Sequence, residues 1–163
     1  KNTNWYAVFT ASRAEKRVKE RLEQAGIENY LPMREVEFVR DGLVKRLEIP
    51  VITGCIFVRV SETNLPSLLS IGGVIALLKE KQTPIVISDE QLDSLRILNE
   101  NAESLEVVNT GWPVGTTVRV MQGELAGVRG ELIEVAGGHL VVIRIPYLIG
   151  VCADVSLDCV KAL

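Results

Sequence analysis

Apolar residues change their rhythm along this chain. In the first hundred residues, strand-like runs alternate with helical spacing. Trp5-Tyr6-Ala7-Val8-Phe9 is a continuous apolar run that predicts a buried strand. Ala14, Val18, Leu22 and Ala25 then recur at helical spacing, and Gly26 supplies a stop. Ser12-Arg13-Ala14-Glu15 has the form of a capping box, which predicts Ser12 as N-cap and Glu15 at the third helical position. Residues 35–39 and 43–47 flank Asp41-Gly42, a strong hairpin signal. Pro50 leads into VITGCIFVRV, read as one strand from Val51 to Val60. Leu65, Leu68 and Leu69 predict a short helix, and Val74 to Leu78 and Ile85 to Ile87 predict two further strands. Ser88-Asp89-Glu90-Gln91 is a second capping box, and Leu92, Leu95 and Leu98 carry the helix behind it. Helices packed on one antiparallel sheet make an α+β sandwich of residues 1–100.

From Asn99 to Gly111 the periodicity fades, so residues 101–111 read as a linker. Beyond it only strands are predicted: Val118 to Met121, Val128 to Val135, Leu140 to Ile145 and Val151 to Val160. Short strands at close spacing define a small β-barrel over residues 112–163. Gly123, Gly127 and Gly130 fall between the first two, where tight turning and close backbone approach need residues without a Cβ. A phosphate-binding loop is excluded there, since no Gly-Lys-Ser/Thr follows and the segment leads into a strand.

Charge refines this division. The net charge is −3, so the chain as a whole is not a basic nucleic-acid binder. Residues 1–21 nevertheless hold Lys1, Arg13, Lys16, Arg17, Lys19 and Arg21 against Glu15 and Glu20, while residues 101–163 hold four bases and seven acids. A chain polarised in this way is expected to meet different partners at its two ends. The helix carries Arg13, Arg17 and Arg21 on one face at i, i+4 and i+8. No apolar run reaches the eighteen residues of a membrane span, and KNTNWYAVFT does not read as a signal peptide. The opening at Lys1 without a methionine carries the expectation of a trimmed or lost N-terminus. Cys55, Cys152 and Cys159 are odd in number and unclustered, which argues against a disulfide framework or zinc site and for a reducing cytoplasm.

The parts of an enzyme are missing. His139 lies in a Gly-Gly-His turn with no nucleophile or ligand cluster in the neighbouring sequence. Glu131 and Glu134 are oddly spaced on a predicted strand, hence on opposite faces. No catalytic residue, metal or cofactor is expected.

The residues carry a family resemblance. Val118-Arg119-Val120, Gly123, Ala126-Gly127 and Gly130 resemble a KOW motif, a small barrel of transcription factors and ribosomal proteins. Before it, WYAVF, SRAEKRVKERLEQAG, YLPMREVEFVRDGLVKR and IPVITGCIFVRV follow the order of the NusG N-terminal (NGN) domain. The resemblance covers nearly the whole chain and implies an α+β NGN sandwich followed by a KOW β-barrel. YLPM and the short length resemble the specialised paralogues of the RfaH and UpxY type, which act at particular operons such as those for surface polysaccharides.

The resemblance implies a transcription elongation or antitermination factor that binds the β′ clamp helices of RNA polymerase, holds the clamp closed and suppresses pausing or termination. The implied contact positions are Phe9, Ile52 and Cys55. Two depart from the family pattern, which usually places an aromatic at Ile52 and a Tyr at Cys55, so a weaker contact or an altered helix tip is expected. Trp5 and Tyr6 are expected in the core. Arg13, Lys16, Arg17 and Arg21 stand where the family faces upstream or non-template DNA, and the hairpin bases Arg40, Lys45 and Arg46 are secondary candidates for phosphate contact. The NLPSLLS segment lacks the His-Thr-Thr of the RfaH type, so its β-subunit contact is not carried over. The KOW barrel implies a termination factor or a ribosomal small-subunit protein as a second partner. Its glycines oppose a helix by about 1 kcal/mol each, so a barrel that does not switch to helices is expected. The competing reading is a KOW-containing ribosome-associated or RNA-binding protein, which the acidic balance disfavours.

Overall fold

The computed structural model describes residues 2–103, 105–108, 115–145 and 148–163. Its contacts divide it into two units, Lys1–Val86 and Ile87–Leu163.

The first unit runs β1 (Thr3–Thr10), α1 (Glu15–Gln24), β2 (Glu28–Tyr30), β3 (Met33–Arg40), β4 (Leu43–Pro50), β5 (Cys55–Ser61), α2 (Leu65–Leu68), β6 (Val74–Leu77), β7 (Lys79–Glu80) and β8 (Thr83–Pro84). An antiparallel sheet in the order β2-β5-β1-β6 forms its centre. Because strand side chains alternate, Tyr6 and Val8 of β1 share a face with Ile56, Val58 and Val60 of β5. That face packs with Val18 and Leu22 of α1 and with Leu65 and Leu68 of α2 in one core. Trp5 and Tyr6 are both buried, as expected. β3 and β4 pair with each other in a separate two-stranded sheet. Asp41 (φ 54°) and Gly42 (φ 76°) both take the left-handed conformation that a two-residue hairpin turn matched to strand twist requires.

The second unit contains α3 (Asp89–Asn101), β9 (Glu106–Val108), β10 (Thr116–Val120), β11 (Arg129–Val135), β12 (Gly138–Ile145), β13 (Ile149–Val155) and β14 (Val160–Ala162). Its strands form one antiparallel sheet in the order β14-β10-β11-β12-β13-β9. α3 buries Leu92, Leu95 and Leu98, and packs on β11, β12 and β13. The capping box at its start is formed in full, with Ser88 Oγ accepting from Gln91 N and Gln91 Oε1 accepting from Ser88 N. The architecture is α+β, an NGN sandwich plus a KOW β unit, as the sequence implies.

Four local expectations need correction. The first helix begins at Glu15 after Ala14, without a side-chain cap, because Arg13 turns left-handed (φ 61°) and Glu15 bonds elsewhere. The run from Val51 is not one strand: residues 51–54 turn, with Gly54 at φ 70°, and β5 starts at Cys55. The strand near Ile85–Ile87 is displaced to Thr83–Pro84, leaving Ile87 as an isolated bridge. Within the stretch read as a linker, Glu106–Val108 pairs with β13, and residues 104 and 109–111 lie outside the described residues.

Candidate functional site

The end of β1 gathers the first three candidate positions. Phe9 is the cross-strand partner of Cys55, and the Ile52–Gly54 turn leads directly into β5. Two bonds hold that turn. Thr10 N donates to Gly54 O at 2.9 Å, and Gly54 N donates to Glu15 Oε2 at 2.8 Å. Glu15 is a buried carboxylate, so this bond satisfies a group that would be costly to bury alone. Thr10, Ser12, Arg13, Glu15, Thr53 and Gly54 line an open depression beside the turn.

The three positions differ in accessibility. Phe9 is half-buried and offers part of its ring. Ile52 is 5% exposed and Cys55 1% exposed. Burial pushes the Cys55 thiol up to about 12, so it stays neutral. Cys55 therefore presents no surface of its own. Thr53, which sequence reasoning missed, is the exposed residue at the tip of the turn. A glycine inside an apolar run was the available signal for that turn.

The basic candidates also separate. Arg13 precedes the helix, so it is not the first member of a helical stripe. Lys16 Nζ donates to Glu48 O at 2.8 Å, and Arg21 Nη1 donates to Gly72 O at 2.6 Å. These two side chains brace the unit. All four bases are exposed, so the bonds and not the exposure set Lys16 and Arg21 apart from Arg13 and Arg17. Arg46 bonds to Glu37 at 3.1 Å, whereas Arg40 and Lys45 make no ion pair among the described residues.

The second unit ties down most of its bases. Glu90 is 3.0 Å from Arg119 and 2.8 Å from Arg129. Hydrogen bonds from Arg119 and then Arg129 lower its pKa from the ordinary carboxylate value. Arg144 bonds to Glu131 at 2.9 Å, Gln91 Nε2 donates to Arg144 O at 3.3 Å, and Arg129 N donates to Ser94 Oγ at 2.9 Å. His139 sits 3.7 Å from Glu134. Among the described residues no cluster has the ligands to hold a metal ion, and no helix is long and apolar enough to cross a membrane.

A two-unit arrangement of this kind defines the class: an α+β sandwich joined to a β unit, with its candidate surface at the end of β1. The family model described as "Transcription termination factor nusG" matches residues 3–96, more than half of the chain. The chain belongs to the NusG family. It is 27% identical over 143 residues to the transcription termination/antitermination protein NusG of Rickettsia conorii, covering 80% of this chain and 74% of the relative. A solved structure described as "Domain interaction in Thermotoga maritima NusG" shares the fold, with a TM-score of 0.54, 16% identity, and coverage of 99% of this chain and 98% of that one. The chain is thus a NusG-like transcription termination/antitermination factor, in a family of non-enzymatic proteins. The family match crosses the division at Val86 and takes in most of α3, although α3 makes its contacts in the second unit.

Proposed function

We propose that this chain is a cytoplasmic elongation or antitermination factor that binds the β′ clamp helices of RNA polymerase through the end of β1. The observation that carries the reading is the convergence of Phe9 with the Ile52–Gly54 turn, braced by Glu15. Phe9 and Thr53 meet the partner, while Ile52 and Cys55 are buried and offer it no surface of their own. Binding there acts by favouring one clamp state over another, which requires no covalent chemistry. All four bases are exposed; Arg13 and Arg17 are the ones offered to upstream or non-template DNA, since Lys16 and Arg21 are already bonded to backbone carbonyls.

The sequence domains of this factor are NGN at 1–100 and KOW at 112–163, and of the 101–111 segment read as a linker, Glu106–Val108 pairs with β13. The KOW domain contacts a termination factor or a ribosomal small-subunit protein. It does not bind RNA directly, since Arg119, Arg129 and Arg144 are committed to carboxylates. Family membership and this commitment together favour the transcription role over a ribosome-associated RNA-binding one. Tyr30-Leu31-Pro32-Met33 supports a specialised paralogue of the RfaH or UpxY type, serving particular operons.

Pause assays with purified polymerase test the reading. The full chain shortens pause lifetimes, and Phe9→Ala abolishes the effect. Unchanged pausing with the folded wild-type chain would remove the proposal.

A further inference from the structure

The β3–β4 arm sorts its side chains by charge. Its register places Arg34, Arg40 and Lys45 on one face, together with Val36, Phe38 and Leu47. Glu35, Glu37 and Glu48 lie on the other face, with Arg46 among them. Arg46 lies 3.1 Å from Glu37 and 3.7 Å from Glu35, so one base is shared by two of the three acids of that face. The basic face contains no carboxylate. It exposes the larger apolar groups, Phe38 by 39%, Leu43 by 63% and Leu47 by 49%, while the acidic face exposes the smaller Val39 by 72% and Val44 by 66%. A two-stranded ribbon with an uncovered apolar face is marginal alone, and such a face marks an interaction site.

We propose that this face docks an acidic amphipathic helix of a partner protein. Charge and spacing support that occupant. Successive side-chain rows on one face of a strand lie about 6.6–6.8 Å apart. Helix residues four apart rise about 6 Å, so carboxylates at i and i+4 reach neighbouring rows around Phe38 while apolar residues between them cover Leu43 and Leu47. A nucleic acid fits less well. The face offers only three bases set among exposed apolar groups, too few for the many phosphate contacts that hold a nucleic-acid backbone. Protein–DNA interfaces are also more polar than this face. A second copy would have to stack its acidic face on the basic one, a head-to-tail contact that does not close into a dimer. The proposal concerns a surface separate from the end of β1 and does not depend on the polymerase contact.

The test titrates the full chain with a synthetic amphipathic helical peptide of about 18 residues, long enough to hold a helix, carrying Leu and Glu on adjoining faces. Its Gln-for-Glu analogue and a short single-stranded oligonucleotide serve as competitors. Lys45→Glu and Phe38→Ala are expected to weaken peptide binding about tenfold each, and the Gln analogue to bind about tenfold more weakly. Arg46→Gln and Val44→Ala, on the opposite face, are expected to stay within about twofold. All four sites are exposed, so the fold is retained. Three results would overturn the proposal: absent peptide binding, equal sensitivity of both faces, or preference for the oligonucleotide with the same face dependence. Self-association that Lys45→Glu abolishes would overturn it too, in favour of stacking between copies.

Discussion

Glu15 and Gly54 are 39 residues apart in sequence, yet the carboxylate of one accepts the backbone N–H of the other at 2.8 Å. This bond fastens the start of α1 to the turn before β5. It explains why the helix forgoes a capping side chain: the acid that a capping box would direct back to the N-cap is used across the unit instead.

Glu15→Ala should therefore destabilise the chain by about 1 kcal/mol, since it leaves the half-buried Gly54 N–H without its acceptor. Glu15→Gln keeps an oxygen acceptor and should recover part of that loss. Thermal unfolding and exchange of the Gly54 amide measure both. Fast exchange at Gly54 with otherwise native protection is the expected signature.

The glycines of the second unit should differ by mechanism. A Cβ on Gly130 would lie 2.6 Å from Val142 O, a backbone atom of the paired strand. Gly130→Ala should cost about 1–3 kcal/mol by overpacking between β11 and β12. At Gly137 nothing lies within 4 Å, but φ is 91°. Gly137→Ala should cost about 1–2 kcal/mol by backbone strain alone and leave β11–β12 pairing intact. Urea unfolding together with amide exchange in β12 separates the two.

Glu90 makes part of the stability pH-dependent. Its pKa is lowered in the folded chain, first by the Arg119 hydrogen bond and then by the one from Arg129. Its contribution is therefore present above the ordinary carboxylate pKa and is lost as pH falls through the lowered value. Glu90→Gln should be less stable than the native chain at neutral pH, and the two should converge in acid. High salt should narrow the neutral-pH gap. A gap that persists in acid would rule out the ionised carboxylate as its source.

The cysteines should react unequally. Burial pushes Cys55 up to about 12; burial, then the charges of Glu106 and Asp154, pushes Cys152 up to about 11. Both stay protonated near pH 8, whereas Cys159 is only half-buried. Iodoacetamide should label Cys159 first, and the other two only on unfolding. Since a raised thiol pKa favours the protonated folded state, stability should fall as pH rises above the ordinary thiol value of about 8.5.

Much of the fold was legible because its signals are local. Asp41-Gly42 dictates a hairpin turn by itself, and Ser88 to Gln91 cap a helix within four residues. The site was harder to read because its determinants are not local. No periodicity links Glu15 to Gly54. The apolar run through Val51 hid a turn, since a buried turn and a buried strand share hydrophobicity. The basic stripe on α1 looked uniform, yet Lys16 and Arg21 each find a carbonyl far along the chain. Pattern placed α3 with the first hundred residues. Its packing on β11, β12 and β13 arises from tertiary contacts that periodicity does not encode.

The most direct measurement is the affinity of the full chain for a purified β′ clamp-helix fragment from the same organism, with Phe9→Ala and Arg17→Glu in parallel. A wild-type complex is predicted that Phe9→Ala weakens at least about thirtyfold, as loss of a central aromatic anchor does, and that Arg17→Glu leaves within about twofold. No binding by the folded wild-type chain, or equal binding by Phe9→Ala, would contradict the account.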